Sequence, residues 1–195
     1  PHRIFEQRIK GNDALIEEAT KLIDNAKKPI FYVGGGCINS GPKASRLVRE
    51  CVKLSGAPAS MTLMGLGTLS ASDPLSLCML GMHGIYEANL AMHDCDVMIN
   101  IGARFDDRVT VRLDAFSPNS KKIHIDIDPS SINKTVKVNL PIVGDVAEVI
   151  TSTIKTIKKV KPNFAKSNKQ KISKWWEKIE KWRSIKSFDF VNSTE

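Results

Sequence analysis

The chain has 195 residues, a net charge of +8, and a composition of 42% hydrophobic and 26% charged residues. These proportions are typical of a globular protein with one well-buried domain and an appendage, and not of a membrane protein. No apolar run approaches the roughly 20 residues that cross a bilayer, and no signal-peptide core follows Pro1. The chain begins without Met, so we expect a processed protein or a piece of a longer one.

The net charge is unevenly distributed along the chain. Residues 1–154 hold 17 Lys and Arg against 17 Asp and Glu, whereas residues 155–186 hold twelve basic residues against only Glu177 and Glu180. The basicity therefore belongs to a C-terminal segment.

The four cysteines form no CxxC pair and match no common zinc spacing. We expect Cys37, Cys51, Cys78 and Cys95 to be reduced and mostly buried thiols of a cytosolic protein.

The spacing of apolar residues predicts strands and helices that alternate up to about residue 160. The predicted strands are apolar and are followed by glycine, which is the pattern of a doubly wound, mostly parallel α/β sheet of the Rossmann-like type. Asn12 or Asp13 is expected to cap the first helix, and Asp145 the last. The predicted elements are helix 11–27, strand 30–33, helix 43–55, strand 59–62, helix 86–93, strand 97–101, strand 122–128, a helical turn at 130–134, strand 141–144 and helix 146–159.

A cluster of charged side chains directly follows the predicted strand 97–101. Arg104, Asp106, Asp107 and Arg108 lie within seven residues of its end. Ligands of open α/β sheets bind in the crevice beyond the carboxyl ends of the strands. Paired guanidinium and carboxylate groups at that place predict a ligand with phosphate and hydroxyl groups.

Two other predicted strand ends are candidates for the same ligand. The glycines 34–36 allow a close backbone approach to a phosphate, although a plain tight turn is an equal alternative. Asp126 and Asp128 could accept hydrogen bonds from ribose hydroxyls, which we favour over a metal pair or simple end-of-strand capping.

Two histidines are candidates for a functional role. His83 lies in a loop between two glycines, where a functional role is as plausible as a structural one. His124 lies inside an apolar strand, and we expect it in the core or on the sheet face. Because no nucleophile–base pair or carboxylate pair is placed for acid–base chemistry, the domain is predicted to be a binder.

The basic segment 161–187 carries an apolar stripe at helical spacing. Such a helix could bind nucleic acid or a membrane surface. We favour a linker helix that packs its tryptophans on a neighbouring domain while its lysines face water, because one appended helix is a thin basis for nucleic-acid binding. We therefore expect neither a nucleic-acid partner nor a membrane. The stripe consists of Ile172, Trp175, Trp176, Ile179 and Trp182.

The chain resembles the large catalytic subunits of the acetolactate synthase (acetohydroxyacid synthase) family from about residue 10 to 150. The combination of LGMHG with GARFDDRVT is highly specific, and WWEKIEKWR resembles the linker that follows this domain in the family. The matching runs, in family order and spacing, are FYVGGGCINSG (31–41), TLMGLG (62–67), LGMHGIYEANLAMHDCDV (80–97), GARFDDRVT (102–110), HIDIDPSSINK (124–134) and PIVGDV (141–146).

The resemblance implies the central of three domains, a six-stranded parallel α/β domain that binds FAD without using it for net redox turnover. It implies this domain at residues 1–160 and, at 161–195, a linker toward an absent C-terminal domain that binds thiamine diphosphate. Positions near the substrate and herbicide channel are Met82, His83, Asp107 and Arg108, and no metal ligand is implied. The implied cofactor-binding residues are Gly34, Gly35, Gly36, Thr62, Leu63, Met64, Gly81, Met82, His83, Gly84, Gly102, Ala103, Arg104, Asp106, Arg108, Val109, Asp126, Ile127, Asp145 and Val146.

The resemblance implies no catalytic residue in this chain, because the family's catalytic glutamate and its GDG…N signature belong to the absent outer domains. The whole enzyme would use thiamine diphosphate and Mg²⁺ to condense pyruvate with pyruvate or 2-oxobutyrate, giving 2-acetolactate or 2-aceto-2-hydroxybutyrate for branched-chain amino acid biosynthesis. We expect the chain alone to be inactive. Expected partners of the whole enzyme are 2-oxoacid substrates, one or three further copies and a small regulatory subunit, in the cytoplasm or an organelle stroma.

Two alternatives stay open. The chain could be the central domain of a sister thiamine enzyme such as glyoxylate carboligase or pyruvate oxidase. It could also be a stand-alone nucleotide-binding or nucleic-acid-binding module that uses the basic tail.

Overall fold

A sheet of six parallel strands forms the centre of the computed structural model, which describes residues 9–187 and 189. The strands are β1 (Pro29–Val33), β2 (Ala59–Met61), β3 (Ser76–Met79), β4 (Val97–Ile101), β5 (Lys121–Asp126) and β6 (Leu140–Val143). Their spatial order is β3-β2-β1-β4-β5-β6, and every neighbouring pair is parallel. The prediction of a doubly wound parallel sheet is therefore confirmed.

Eight helices accompany the strands in the described part of the chain. They are α1 (Asp13–Asn25), α2 (Gly35–Asn39), α3 (Pro42–Ser55), α4 (Tyr86–Asp94), α5 (Asp107–Thr110), α6 (Val146–Val160), α7 (Phe164–Lys171) and α8 (Ser173–Arg183). Helix α6 packs against α1 and α3, while α4 packs against α8. Every residue of β1 and β4 is buried, because helices or loops cover both faces of the sheet.

The ends of the main helices follow the predicted capping residues. The Asn12 carboxamide accepts hydrogen bonds from two backbone amides in the first turn of α1, and the Asp145 carboxylate does the same for α6. Gly56 ends α3 in the left-handed conformation, at a φ of 67°, which glycine adopts without a steric penalty.

Several elements differ from the prediction, and two of them, strand β3 (Ser76–Met79) and the short helix α5 (Asp107–Thr110), were not among the predicted elements. Residues 35–39 form the short helix α2, which the apolar spacing did not indicate. Strand β5 ends at Asp126 rather than at Asp128, because the Asp128 carboxylate caps a 3-10 turn at Pro129–Ser131. The basic segment forms two helices rather than one, and they meet at Ile172, whose side chain is fully buried.

The two C-terminal helices pack on the α/β domain of the same chain. The indole of Trp175 donates to the Pro29 carbonyl oxygen at 3.1 Å, and the indole of Trp176 donates to the Gly56 carbonyl oxygen at 2.8 Å. The neighbouring domain expected for the tryptophans is thus the one that precedes them. The boundary at residue 160 stays a prediction.

Acidic residues of the α/β domain neutralise part of the basic segment. Lys158 pairs with Glu50 at 2.8 Å and Lys161 pairs with Asp24 at 2.6 Å. Lys178 of α8 lies 2.8 Å from a carboxylate oxygen of Asp94. Some of the basicity that the sequence concentrates at residues 155–186 therefore serves contacts within this chain.

All four cysteines are free thiols, and three of them are buried. This confirms the prediction of mostly buried thiols. In the described residues, no helix combines the length and apolar character needed to cross a membrane.

Candidate cofactor-binding site

A cavity of about 730 Å³ opens beyond the carboxyl ends of the strands. It lies where the strand order reverses, between β1 and β4, which is the place where open α/β sheets bind ligands. Its volume is in the range of small-molecule sites. The residues that line it are Tyr32, Gly35, Gly36, Asn39, Ser40, Thr62, Leu63, Met64, Gly102, Ala103, Arg104, Asp106, Arg108, Val109, Asp126, Ile127, Asp128, Ser131, Asp145 and Val146.

Glycines make the floor of this cavity out of bare backbone. The Gly36 amide donates to the Gly102 carbonyl oxygen at 3.0 Å, and a Cβ on Gly36 would lie only 2.8 Å from the Gly102 Cα. Gly102 has a φ of 62°, which favours glycine over other residues. The backbones after β1 and β4 therefore touch, and no side chain separates a ligand from them.

Asn100 fixes the first residue of the charged segment that follows β4. Its side chain is fully buried in an otherwise apolar strand. Its Nδ2 donates to the Ala103 carbonyl oxygen at 2.7 Å, and the Ala103 amide donates to its Oδ1 at 3.0 Å. The sequence interpretation missed Asn100, although an amide inside the run Val97–Ile101 was the signal that could have found it.

Phe105 anchors the same segment in the core. It is 1% exposed, has a φ of 57°, and its ring centroid lies 5.6 Å from that of Tyr32 and 5.2 Å from that of His124. Because Phe105 points inward, its neighbours Arg104 and Asp106 point outward, and both are exposed.

The two guanidinium groups of the cavity follow β4. Arg104 pairs with Asp106 at 3.1 Å, but both side chains are more than half exposed, so the pair contributes little stability. Arg108 directs its Nη1 toward the Met82 sulfur at 3.9 Å. Both cations are thus accessible to an anionic group in the cavity.

Three carboxylates lie at or just after the ends of β5 and β6. Asp126 is buried and accepts a bond from the Asp128 amide at 2.9 Å. Asp145 accepts a bond from the Ser40 hydroxyl at 2.6 Å. Hydrogen bonds from Ser130 hold the pKa of Asp128 below its ordinary value. One end of the cavity therefore suits an anion and the other suits hydroxyl or amino groups.

Most of the predicted cofactor-binding residues line this one cavity. Those outside its lining are Gly34, Gly81, Met82, His83 and Gly84. Gly34 lies directly behind the floor, since a Cβ there would lie 2.3 Å from the Gly102 carbonyl oxygen. The other four belong to a separate turn.

The turn at residues 81–84 borders a second cavity of about 410 Å³. Gly81 and Met82 line this cavity together with Val109, which lines both. His83 is exposed and lines neither cavity, and the same is true of Asp107.

Four lining residues were not among the sequence candidates. They are Tyr32, Asn39, Ser40 and Ser131. Asn39 and Ser40 lie at the end of α2, about one turn after the glycine run, so a helix predicted there would have placed them at the cavity. Tyr32 is buried inside β1, and burial raises the pKa of its hydroxyl, so it contributes ring surface rather than acid–base chemistry.

His124 is a fully buried sheet-face residue, as predicted. Its Nε2 lies 3.6 Å from Asp126 Oδ2, and neither ring nitrogen has a hydrogen-bond partner among the described residues. Because the ring is 0% exposed, it cannot act on a ligand directly. The site binds, and the described residues show no group arranged for bond breaking.

Comparison with known proteins identifies the relatives of the chain. The model of the family described as thiamine pyrophosphate enzyme, central domain, matches residues 16–153. The acetolactate synthase large subunit of Buchnera aphidicola subsp. Schizaphis graminum is 43% identical over 96% of the chain and 32% of that protein. The acetolactate synthase isozyme 3 large subunit of Escherichia coli K12 is 39% identical over 99% of the chain and 33% of that protein.

A third relative shows a match of similar identity. The acetolactate synthase large subunit of Porphyra purpurea is 44% identical over 85% of the chain and 27% of that protein. The chain thus spans about a third of the length of the curated relatives it matches. These matches confirm the resemblance drawn from the sequence motifs.

Proposed function

Because this chain belongs to the thiamine pyrophosphate enzyme family as its central domain, we propose that it is the FAD-binding central portion of an acetolactate synthase. The observation that carries the proposal is one cavity that spans five strand ends, with its cations at β4 and its carboxylates at β5 and β6. FAD is an elongated dinucleotide with a diphosphate at its middle and hydroxyl-rich groups on both sides.

The residues of the cavity fit that ligand. Guanidinium groups bind diphosphate through charge-assisted hydrogen bonds, which suits Arg104 and Arg108. Asp126 and Asp145 suit the hydroxyl and amino groups of the adenosine end. The glycine floor leaves space for the chain of the cofactor, since a Cβ at Gly36 would clash with backbone. The apolar residues Leu63 and Met64 are exposed at the cavity and suit the flavin ring.

The role of this chain in the whole enzyme is to bind and orient, and to exclude water from one side of the site. Thiamine diphosphate with Mg²⁺, held by other domains, would supply the chemistry that joins pyruvate to pyruvate or 2-oxobutyrate. Met82, His83, Asp107 and Arg108 would face the substrate channel. We also propose that the whole enzyme is a homodimer or tetramer with a small regulatory subunit, located in the cytoplasm or an organelle stroma.

A flavin titration tests the proposal. The purified chain should bind added FAD, seen as a shift of the visible flavin spectrum and quenching of flavin fluorescence. Arg108→Ala should weaken binding by about tenfold, because a hydrogen-bonded charge is lost. Arg112→Ala is the matched control, since Arg112 pairs with Asp114 at 2.6 Å and lies outside the larger cavity. No binding by the unchanged chain, or equal loss in both variants, would overturn the proposal.

The chain alone should not form acetolactate. A colorimetric assay with pyruvate, thiamine diphosphate, Mg²⁺ and FAD should show no turnover above the blank. Turnover by residues 1–195 alone would refute the assignment of all catalytic groups to other domains.

The two alternative functions lead to different experimental results. A sister thiamine enzyme would also bind FAD, but its whole chain would act on glyoxylate or oxidise pyruvate, which product analysis distinguishes. A nucleic-acid module would be retained on heparin and lose this retention when residues 161–195 are removed. The ion pairs of Lys161 and Lys178 with acids of the same chain favour a docking role for the basic segment instead.

A further inference from the structure

Asn89 of α4 holds the backbone of Gly81 from both sides. The Gly81 amide donates to Asn89 Oδ1 at 2.8 Å, and Asn89 Nδ2 donates to the Gly81 carbonyl oxygen at 3.0 Å. Gly81 has a φ of 99°, a backbone conformation that glycine adopts without steric cost, so the two hydrogen bonds select this conformation rather than relieve strain. A carboxamide that satisfies both polar groups of one residue also fixes the orientation of that residue. This is the arrangement that Asn100 makes with Ala103 on the neighbouring segment.

The turn that Asn89 holds is docked on the segment that carries Arg108. The Met82 amide donates to the Arg108 carbonyl oxygen at 2.8 Å. A Cβ on Gly81 would lie 2.7 Å from the same oxygen, so the two backbones are in close contact. Helix α5 has only four residues, and its last carbonyl groups have no partner within the helix. Met82 supplies one of these partners.

The side chains of the two segments also meet. Arg108 Nη1 lies 3.9 Å from the Met82 sulfur, and Arg108 lines the 730 Å³ cavity. Asn89 itself does not line that cavity. Asn89 lines the smaller cavity, and the hydrogen-bonded route from it to the larger one runs through the Gly81–Met82 backbone to Arg108, beside the packing route through Val109, which lines both cavities.

We propose that Asn89 is a positioning residue for the cofactor site. Its carboxamide keeps Gly81 in the left-handed conformation, which keeps the Met82 amide on the Arg108 carbonyl and so sets where the Arg108 guanidinium lies. The identity of the ligand as FAD rests on the proposed function. The backbone contact does not depend on it.

Three variants of the full chain test the proposal. Asn89→Ala removes both hydrogen bonds to Gly81, whereas Asn89→Asp keeps the acceptor for the Gly81 amide and removes the donor. Asn139→Ala is the matched control. Asn139 is also an exposed asparagine that bonds to backbone, accepting from the Lys122 amide at 2.8 Å, but it lies where β5 and β6 begin, away from the cavity.

The first measurement is amide hydrogen exchange at Met82, with the amides of β4 as internal reference. Asn89→Ala should speed exchange at Met82 by at least about fivefold, because the hydrogen bonds that hold the turn are lost. Asn89→Asp should give an intermediate rate. Asn139→Ala should leave Met82 unchanged, and no variant should alter the β4 amides. Unchanged exchange at Met82 in Asn89→Ala overturns the proposal.

The second measurement is the dissociation constant for FAD. Asn89→Ala should raise it by roughly fivefold or more, with Asn89→Asp between this variant and the parent and Asn139→Ala unchanged. Equal FAD affinity in Asn89→Ala and the parent overturns the positioning role, even if exchange increases. If the unchanged chain binds no FAD, the proposed function fails, and the exchange at Met82 still decides whether Asn89 holds the turn.

Discussion

The indole nitrogen of Trp175 donates a hydrogen bond to the carbonyl oxygen of Pro29 at 3.1 Å, which ties helix α8 to the first residue of strand β1. The same pattern recurs nearby, where Trp176 and Asn168 donate to the carbonyl oxygens of Gly56 and Ser55 at the end of α3. Donor side chains of the two C-terminal helices thus satisfy backbone carbonyl groups at the start of β1 and at the end of α3. The tryptophans suit this role, because the indole is a hydrogen-bond donor without an acceptor.

We predict that Trp175→Ala lowers the free energy of unfolding by about 3–5 kcal/mol, the usual range for removing a buried tryptophan side chain. Trp175 is 2% exposed, and its loss also leaves the Pro29 carbonyl without this donor. Urea denaturation followed by far-ultraviolet circular dichroism measures the change. Lys174→Ala, at the exposed neighbouring position, should change the value by less than about 0.5 kcal/mol. Equal midpoints for parent and Trp175→Ala would show that α8 is not part of the folded unit.

Gly36→Ala should distort the glycine backbone that forms the floor of the cavity and so weaken cofactor binding. The new Cβ would lie 2.8 Å from the Gly102 Cα, and backbone cannot move aside as a side chain can. We expect a destabilisation of about 1–3 kcal/mol and a loss of FAD affinity of about tenfold or more. Isothermal titration with FAD and chemical denaturation measure the two effects separately.

Gly11→Ala is the control for this prediction. Its Cβ would also meet an atom at 2.8 Å, the Cγ2 methyl of the buried Val149 side chain, so this variant should also be destabilised. Gly11 does not line the cavity, so FAD affinity should stay unchanged. If Gly36→Ala bound FAD as tightly as the parent, this would contradict the proposal that the glycine backbone is the binding surface.

The Asp94 carboxylate should make stability depend on pH in the acidic range. Partial burial raises its pKa, but hydrogen bonds from Lys178 and Lys28 outweigh that effect and hold the pKa below its ordinary 3.8. Because the folded-state pKa is lower than the unfolded one, the contribution is complete above about pH 5 and is lost as the pH falls through the lowered pKa. Asp94→Asn should therefore be less stable than the parent at pH 7.

Urea titrations at several pH values between about 2.5 and 7 test this sign, because the difference between parent and Asp94→Asn should shrink toward the acidic end. Asp114→Asn is the control. Arg112 likewise lowers the pKa of Asp114, but this pair is local and exposed, so little stability depends on it. A parent–Asp94→Asn difference that grows on acidification would contradict the sign.

Cys78 should be the most reactive thiol of the native chain. Burial raises the pKa of Cys51 to about 12 and that of Cys95 to about 11, and it also raises the pKa of Cys37. The thiolate is the reactive form, so these three thiols should react slowly, whereas Cys78 is only half-buried. A chromogenic disulfide reagent should show one fast thiol in the native chain, absent from Cys78→Ser, and four in denaturant. Fast reaction of the Cys78→Ser variant would contradict this assignment.

The sequence by itself determined five of the six strands and the longer helices of the α/β domain, and where several of them end. Val97–Ile101 is apolar except for Asn100 and forms β4 with those same bounds, while Asn12, one of two candidates, and Asp145 cap their helices. These features are local, because periodicity and capping depend on residues a few positions apart. The charged residues after β4 were also recognised as candidates, since the chain itself places them directly after a strand.

Only the tertiary structure decided which segments touch one another. It places Gly36 on Gly102, separates the turn at residues 81–84 from the larger cavity, and packs Trp175 on β1. It also brings the side chains of Asn89 and Asn100 onto the backbone of Gly81 and Ala103, which no pattern in the sequence indicated. The physical reason is that hydrophobic burial is non-directional: a pattern shows which face must leave water, while strand order and side-chain fit select the surface that covers it.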